Sequence, residues 1–204
     1  MPTTQRTRRA GGARREAVLE AAVDTLAARG YENTRFADVA AAGGVAISTL
    51  QNYFGSREDM LIEAMRRSTD AEVAALAAAA ATEQDPWRRL VLLIDRSLGS
   101  TERTQQALIE FWRAGIRDAE LRDYSAQVWA RYREPFLRAV TDGCDRGAFT
   151  PHGTPDDAVD LLLVALAGVM IPRVLHHAAP TAEDFRRTLL SQTRLALGMP
   201  PAGS

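Results

Sequence analysis

The strongest chemical signal in the sequence is a cluster of polar side chains in a short segment near the N-terminus. Hydroxyl and amide groups both donate and accept hydrogen bonds, and an Asn or Gln amide can pair with the edge of an adenine base. Arginine side chains beside such a cluster can bind backbone phosphates. These residue types predict a surface that contacts double-stranded DNA. The predicted contact residues are Thr34, Arg35, Ser48, Thr49, Gln51, Asn52, Tyr53 and Arg57.

Side chains that support catalysis or metal binding form no comparable cluster. The three histidines are His152, His176 and His177. Adjacent residues on a helix point about 100° apart, so His176 and His177 do not form a chelating pair. The carboxylates are spread along helix surfaces, and no serine lies in a recognisable nucleophile turn. The sequence therefore predicts no catalytic site, no metal site and no cofactor, and its single cysteine, Cys144, excludes an intramolecular disulfide.

Two short helices and a glycine turn position the polar cluster. Apolar residues at helical spacing predict a helix over residues 36–42, and Thr34 is its expected N-cap because a threonine hydroxyl can accept from a backbone N–H group one turn on. In the second helix, over residues 47–54, Leu50 and Phe54 share one face and leave the polar residues on the other. This layout predicts a helix-turn-helix, whose second helix fits the major groove of DNA.

The same stretch resembles the signature of the TetR family of transcriptional regulators. Gln51 stands where that family often has Tyr, and Arg57 stands where it often has Lys, so the base pairs that are read do not transfer from relatives. The signature covers about the first quarter of the chain. The matching residues are Gly30-Tyr31, Thr34, Gly44-Val45, Ser48-Thr49-Leu50, Tyr53-Phe54, Ser56-Arg57 and Glu58-Asp59-Met60-Leu61.

Helical periodicity continues through the rest of the chain and predicts an all-α fold of about nine helices. Strong helix starts, each with a capping side chain, stand at Asp85-Pro86, Thr154-Pro155 and Thr181. The predicted domains are a disordered basic N-terminal arm (1–12), a helix-turn-helix DNA-binding domain (13–57), a C-terminal ligand-binding and dimerisation domain (58–198) and a disordered tail (199–204).

The charge balance restricts how the protein can bind DNA. The 204 residues carry a net charge of −1, so binding must depend on local charge. Residues 1–57 hold eight arginines against five acidic residues. Their net charge is therefore positive, as binding to the negatively charged DNA backbone requires. The longest apolar run, residues 161–171, is shorter than the roughly 20 residues that span a bilayer. We therefore expect a cytoplasmic protein that does not contact membranes.

TetR-like proteins generally respond to small molecules, so the resemblance implies a ligand pocket in the C-terminal bundle. Pockets in helical bundles form between helices, from aromatic residues with a few polar groups. Glu110 and Arg113 are the possible polar partners, and packing into the core is the alternative role for each apolar residue. The candidate pocket residues are Leu108, Trp112, Trp129, Tyr132 and Met170.

The last two long helices predict a homodimer, which the resemblance also implies. The helix that starts at Thr154-Pro155 is apolar over most of its circumference and must be covered on most sides. A two-fold dimer places its recognition helices about one duplex turn apart, or a multiple of it, on a palindromic operator. The candidate interface residues are Leu161, Leu162, Ala165, Val169, Phe185, Leu189 and Thr193.

Together these patterns predict a ligand-responsive transcriptional regulator, a repressor that a small-molecule effector releases from operator DNA. An activator is an alternative that the sequence leaves open. A helical ligand-binding or scaffolding protein without DNA binding is a second alternative, favoured only by the absence of Tyr at Gln51. An all-α enzyme with a site in the bundle is a third, which no residue pattern favours.

Overall fold

The helices agree with the all-α prediction. A computed structural model describes residues 3–178 and 180–200, with side chains from residue 12 onward, and within these residues it contains ten α-helices and no strand. Nine of the ten have eight residues or more, which matches the predicted count. The helices are α1 (Thr3–Arg29), α2 (Phe36–Gly43), α3 (Ile47–Phe54), α4 (Arg57–Ala80), α5 (Pro86–Leu98), α6 (Glu102–Gly115), α7 (Ala119–Asp145), α8 (Pro155–Gly168), α9 (Met170–Val174) and α10 (Ala182–Ala196).

The chain divides into two compact units. Within the described residues, the first unit contains the chain up to Ala71 together with Arg103–Ser125, and the second contains Glu72–Glu102 and the chain from Ala126 onward. The divisions therefore fall within α4, near the start of α6 and within α7. The sequence instead predicts a boundary between residues 57 and 58, where α4 begins, and this functional boundary stays a prediction.

The first unit has two groups of buried side chains. The larger group joins α1, α2 and α3 to the start of α4, because each helix turns its apolar stripe inward. A smaller group, formed by Leu26, Met65, Phe111 and Leu121, joins α1, α4, α6 and α7. The larger group comprises Val18, Leu19, Ala22, Val23, Val39, Ala40, Leu50, Phe54, Met60, Leu61, Ala64 and Ala107.

The first helix is longer than its sequence pattern predicts. It begins at Thr3, ten residues before the predicted start at residue 13, and so includes most of the segment predicted as a disordered arm. No proline follows Pro2 in this segment, and its Arg, Gln and Ala residues favour helix. Extending a helix that is already packed costs far less than nucleating one. Met1 and Pro2 lie outside the described residues.

The second unit has one large core. The predicted stripes on α5, α7, α8 and α10 all contribute to it, and α7 continues through Pro135. Met199, from the predicted disordered tail, packs against this core, whereas residues 201–204 lie outside the described part of the chain. The buried core residues are Leu76, Leu90, Leu93, Ile94, Phe136, Ala139, Val140, Phe149, Val159, Leu162, Leu163, Leu166, Leu189 and Leu197.

The predicted helix starts of the second unit are capped by side chains. The Asp85 carboxylate accepts from the backbone N–H of Arg88 at 2.7 Å. At the start of α8, the Thr154 hydroxyl accepts from the backbone N–H of Asp157 at 3.1 Å, and the Asp157 carboxylate accepts from the backbone N–H of Thr154 at 2.9 Å. Hydrogen bonds from the hydroxyl and backbone N–H of Thr154 lower the pKa of the Asp157 carboxyl. These contacts confirm the predicted boundaries.

Among the described helices, none combines the length and the apolar character that are needed to cross a bilayer.

Candidate nucleic-acid interface

The turn between α2 and α3 depends on one glycine. Gly44 has φ 61° and ψ 36°, a left-handed conformation that costs other residues about 1 kcal/mol or more. Its backbone N–H donates to the carbonyl of Ala40, and the N–H of Val45 donates to the same oxygen at 3.0 Å. The chain re-enters helix at Ile47, so the predicted helix-turn-helix is present.

The second helix of this pair has one apolar face and one polar face. Leu50 and Phe54 are buried against the other helices of the first unit. Tyr53 is half-buried, and its ring packs edge-on to that of Phe54 with 6.0 Å between centroids. Thr49 is half-buried as well. The exposed side chains of α3 are Ile47, Ser48, Gln51 and Asn52.

Thr34 has a different role from the predicted one. Its side chain is fully buried, and its hydroxyl donates to the carbonyl of Gly30 at 2.8 Å. The N-cap of α2 is Arg35, whose backbone N–H donates to the Asp38 carboxylate at 2.9 Å. The prediction that Thr34 caps α2 and contacts DNA is therefore wrong, because its hydroxyl is used to close the loop after α1. The neighbouring side chain of Arg35 is exposed.

Arg57 binds the protein's own backbone. Its guanidinium donates to the carbonyl oxygens of Tyr31 and Thr34, and at 2.7 Å to the Glu58 carboxylate. It also lies 5.1 Å from the centre of the Tyr31 ring. Burial raises the pKa of the Tyr31 hydroxyl, although the positive charge of Arg57 opposes this shift. Arg57 thus has a structural role, because it joins the start of α4 to the loop between α1 and α2. Its phosphate contact stays a prediction.

Glu110 on α6 binds the same loop. Its carboxylate accepts from the backbone N–H of Tyr31 at 2.8 Å and forms an ion pair with Arg113 at 3.0 Å. Gly30, with φ 78°, lies so near that an added Cβ would be 3.2 Å from this carboxylate. The sequence suggests Glu110 and Arg113 as ligand contacts, whereas the structure places the Glu110 carboxylate against the loop after α1. No sequence signal joins residues 31 and 110, because their contact is tertiary.

Ile47 is an exposed α3 residue that the predicted contact set omits. It is the first residue of α3 and its side chain is 44% exposed. A sequence signal for it exists: Ile47 and Gln51 are four residues apart, which places them on one face of a helix.

The predicted pocket residues are distributed over both compact units. Leu108 and Trp112 belong to the first unit, where Trp112 packs against the group formed by Leu26, Met65, Phe111 and Leu121. Trp129, Tyr132 and Met170 belong to the second unit. The Tyr132 hydroxyl donates to the Ser97 hydroxyl at 2.6 Å, and its ring packs against the core. Trp129 is 39% exposed.

Two surface cavities of the second unit involve other residues. A cavity of about 700 Å³ is lined by Ala79, Trp87, Arg88, Val91, Leu92, Asp95 and Arg96. A cavity of about 300 Å³ is lined by Ala77, Ala80, Ala81, Gln84, Arg89, Arg131, Glu134, Pro135 and Arg138. Neither is lined by a residue of the predicted pocket set.

The predicted dimer residues separate into buried and accessible ones. Leu162, Val169, Leu189 and Thr193 are at most 8% exposed within their own chain, so these side chains pack mainly inside it. Ala165 and Phe185 are half-buried and Leu161 is exposed. On α8 the sequence does not distinguish these faces, because that helix is apolar over most of its circumference. Exposed apolar side chains that the prediction omitted are Val164, Ile171, Leu175 and Leu195.

Two sequence families match the chain. The family described as bacterial regulatory proteins, tetR family, matches residues 18–64, which include α2 and α3. The family described as BetI-type transcriptional repressor, C-terminal, matches residues 86–197, more than half of the chain.

Individual proteins show the same similarity. The HTH-type transcriptional regulator RutR of Escherichia coli (strain K12) is 37% identical over 76 residues, which are 37% of this chain and 36% of RutR. The match thus spans about a third of that relative's length. The HTH-type transcriptional regulator BetI of Agrobacterium fabrum is 26% identical over 148 residues, 71% of this chain and 68% of BetI.

Solved structures share the fold. A transcriptional regulator from Saccharomonospora viridis, solved in complex with choline, superposes with a TM-score of 0.79 at 24% identity, covering 86% of this chain and 92% of that one. A TetR transcription regulator from Haloarcula marismortui superposes with a TM-score of 0.78 at 19% identity, covering 92% and 97%. At these identities the likeness establishes the fold alone.

The contacts of Arg57 predict a loss of stability when its side chain is removed. We expect Arg57→Ala to lower the free energy of unfolding by about 2 kcal/mol, because two backbone carbonyls lose charged hydrogen-bond donors. Urea denaturation followed by circular dichroism, without DNA, measures this change. Arg35→Ala is the matched control and should stay within about 0.5 kcal/mol of the wild type, since its side chain is exposed. Equal stability of the Arg57 and Arg35 variants would contradict the structural role.

Proposed function

Because this chain belongs to the TetR family of bacterial regulatory proteins, we propose that it represses transcription by binding a palindromic operator as a homodimer and that a small molecule releases it. The observation that best supports DNA binding is that α3 has one buried apolar face and one exposed polar face. Leu50 and Phe54 anchor this helix in the first unit, while Ser48, Gln51 and Asn52 are exposed. A short anchored helix with a hydrogen-bonding outer face is suited to the major groove.

The proposed contacts fall into two classes. Ser48, Thr49, Gln51 and Asn52 read base edges, because their hydroxyl and amide groups match the donors and acceptors of the major groove. Gln51 has the most specific chemistry, since its amide can pair with N6 and N7 of adenine. Arg35 and Tyr53, on the flanks, bind phosphates and set the orientation of α3 without selecting sequence.

Exposed apolar side chains support the homodimer. Leu161, Val164, Ile171 and Leu175, on α8, on α9 and just after it, are each 58% to 66% exposed. Their spacing of three, seven and four residues keeps them near one side of a helical segment. Leu195 on α10 is 52% exposed. Such a row of large side chains is typical of an interface, and a second copy of the chain offers an identical row to pack against it.

The proposed effector binds among the C-terminal helices. The match of residues 86–197 to the BetI-type repressor family supports this placement. The choline bound to the similar regulator from S. viridis supports a small molecule as the effector. The proposed lining residues within the second unit are Trp129, Tyr132 and Met170. Ligand binding shifts α4 and thereby changes the separation of the two recognition helices. A coupling free energy of roughly 1–3 kcal/mol lowers the affinity for the operator.

Selection of bound sequences from random duplex DNA, followed by fluorescence anisotropy on the selected duplex, tests this function. We expect the affinity of the full chain to fall steeply as salt rises, because phosphate contacts release counterions. Gln51→Ala should weaken binding to the selected duplex by about tenfold or more and relax the preference at one base pair of each half-site, as loss of a bidentate base contact does.

Gln127→Ala is the matched control for this variant, since Gln127 is an exposed glutamine on α7. It should bind like the wild type. If no sequence is enriched and no duplex changes the anisotropy at low salt, DNA binding is refuted. If Gln51→Ala keeps both the affinity and the preference, the orientation of α3 is refuted.

The apolar row on α8 predicts how the dimer can be broken. Replacing Leu161 and Val164 together by Glu places charges in the proposed interface and should weaken dimerisation by more than about a hundredfold. Light scattering at micromolar concentration should then report a monomer, while the wild type and the control Ile116→Glu, at an isoleucine that is 76% exposed in the first unit, stay dimeric. A wild-type monomer at this concentration rules the homodimer out.

A further inference from the structure

Ile47 is a large apolar side chain that is exposed on the same helix as the exposed polar residues Ser48, Gln51 and Asn52. Over residues 12–71, all of which the structure describes, it is the only large hydrophobic side chain that is exposed. It belongs to none of the buried groups of the first unit. A β-branched residue also gives no advantage in helix propensity. Neither core packing nor helix formation therefore accounts for an isoleucine at this position.

Ile47 lies on the exposed face of α3, which is the surface proposed to contact base edges. As the first residue of α3, it lies one helical turn before Gln51, on the same face. Both side chains are exposed, whereas Leu50 and Phe54 occupy the buried face. The N-terminal residues of a recognition helix are those that approach base edges. Ile47 and Gln51 thus form one outward-facing pair of an apolar and an amide side chain.

The chemistry of this pair matches an A·T base pair. An isoleucine side chain has no donor, so it cannot bind phosphate or a base acceptor. In the major groove, the apolar group on a base edge is the C5-methyl of thymine, and an amide pairs with adenine. We propose that Ile47 contacts a thymine methyl group and that Ile47 and Gln51 together select neighbouring A·T pairs in each half-site. This proposal rests on the proposed DNA binding by α3.

Replacing thymine by deoxyuridine tests the contact, because uracil pairs identically and lacks only the methyl group. The duplex selected by the full-length wild-type protein is prepared with one thymine at a time replaced in each half-site. At one position we expect the wild type to lose about fourfold in affinity per half-site, the value for removing one buried methyl group. Replacement in both half-sites should cost roughly fifteenfold, since separate sites add. Anisotropy measures each dissociation constant.

The variant Ile47→Ala connects this loss to the side chain. It should bind the thymine duplex more weakly than the wild type and lose less than twofold when the same thymine becomes uracil. Ile116→Ala, which removes another exposed isoleucine of the first unit, should keep the full discrimination. Both positions are exposed, so thermal unfolding of both variants should match the wild type.

The outcomes separate this proposal from the one on which it rests. Sequence-specific binding that is indifferent to uracil at every thymine overturns the methyl contact and leaves DNA binding intact. An Ile47→Ala protein that keeps the full discrimination also overturns it. Failure to enrich any duplex overturns both proposals. Loss of discrimination in Ile47→Ala alone supports the contact.

Discussion

The backbone loop between α1 and α2 is held by charged side chains that come from distant parts of the chain. Arg57 donates to the carbonyl oxygens of Tyr31 and Thr34, and the Glu110 carboxylate accepts the N–H of Tyr31. A loop that follows a helix leaves backbone groups without helical partners, and burying them unsatisfied is costly. The Arg57 cation binds two backbone acceptors and the Glu110 anion binds one backbone donor, so these three groups of the loop are satisfied. The direction in which α2 leaves α1 depends on these bonds.

The geometry of α3 follows from that of α2. The left-handed Gly44 sets the reversal between the two helices, and the burial of Leu50 and Phe54 fixes the rotation of α3 about its axis. Rotation by one residue would turn the exposed side chains by about 100° and bury amides in place of leucine. The exposure of Gln51 is therefore a consequence of packing. The Gln51 amide does not lower the stability of the fold, because it remains hydrated until DNA binds.

Local patterns account for most of what the sequence predicts correctly. The starts at Asp85, Thr154 and Thr181 depend on partners within three residues, so they can be read along the chain. The structural role of Arg57 cannot be predicted in this way. The two backbone acceptors of the Arg57 guanidinium lie 23 and 26 residues away, and only the folded chain brings them together.

The dimer residues show a second reason why a sequence is insufficient. From Leu161 onward every side chain of α8 is apolar, and the pattern cannot distinguish Leu162, which is buried in its own chain, from Leu161, which is 66% exposed. The spacing of apolar residues identifies the buried face of a helix only where polar residues occupy the opposite face. In α3 they do so, and the faces of that helix are predicted correctly. Ile47 is the exception, since its residue type suggests the core whereas its position places it outside.

Dimethyl sulfate protection on the bound duplex tests most directly whether α3 reads the major groove. The reagent methylates N7 of guanine in the major groove and N3 of adenine in the minor groove, so the two grooves are probed separately. We expect protection of guanine N7 in two blocks whose centres lie about 10 base pairs apart or a multiple of that distance. Guanine N7 reactivity that stays equal to that of free DNA while the protein is bound would contradict this placement of α3.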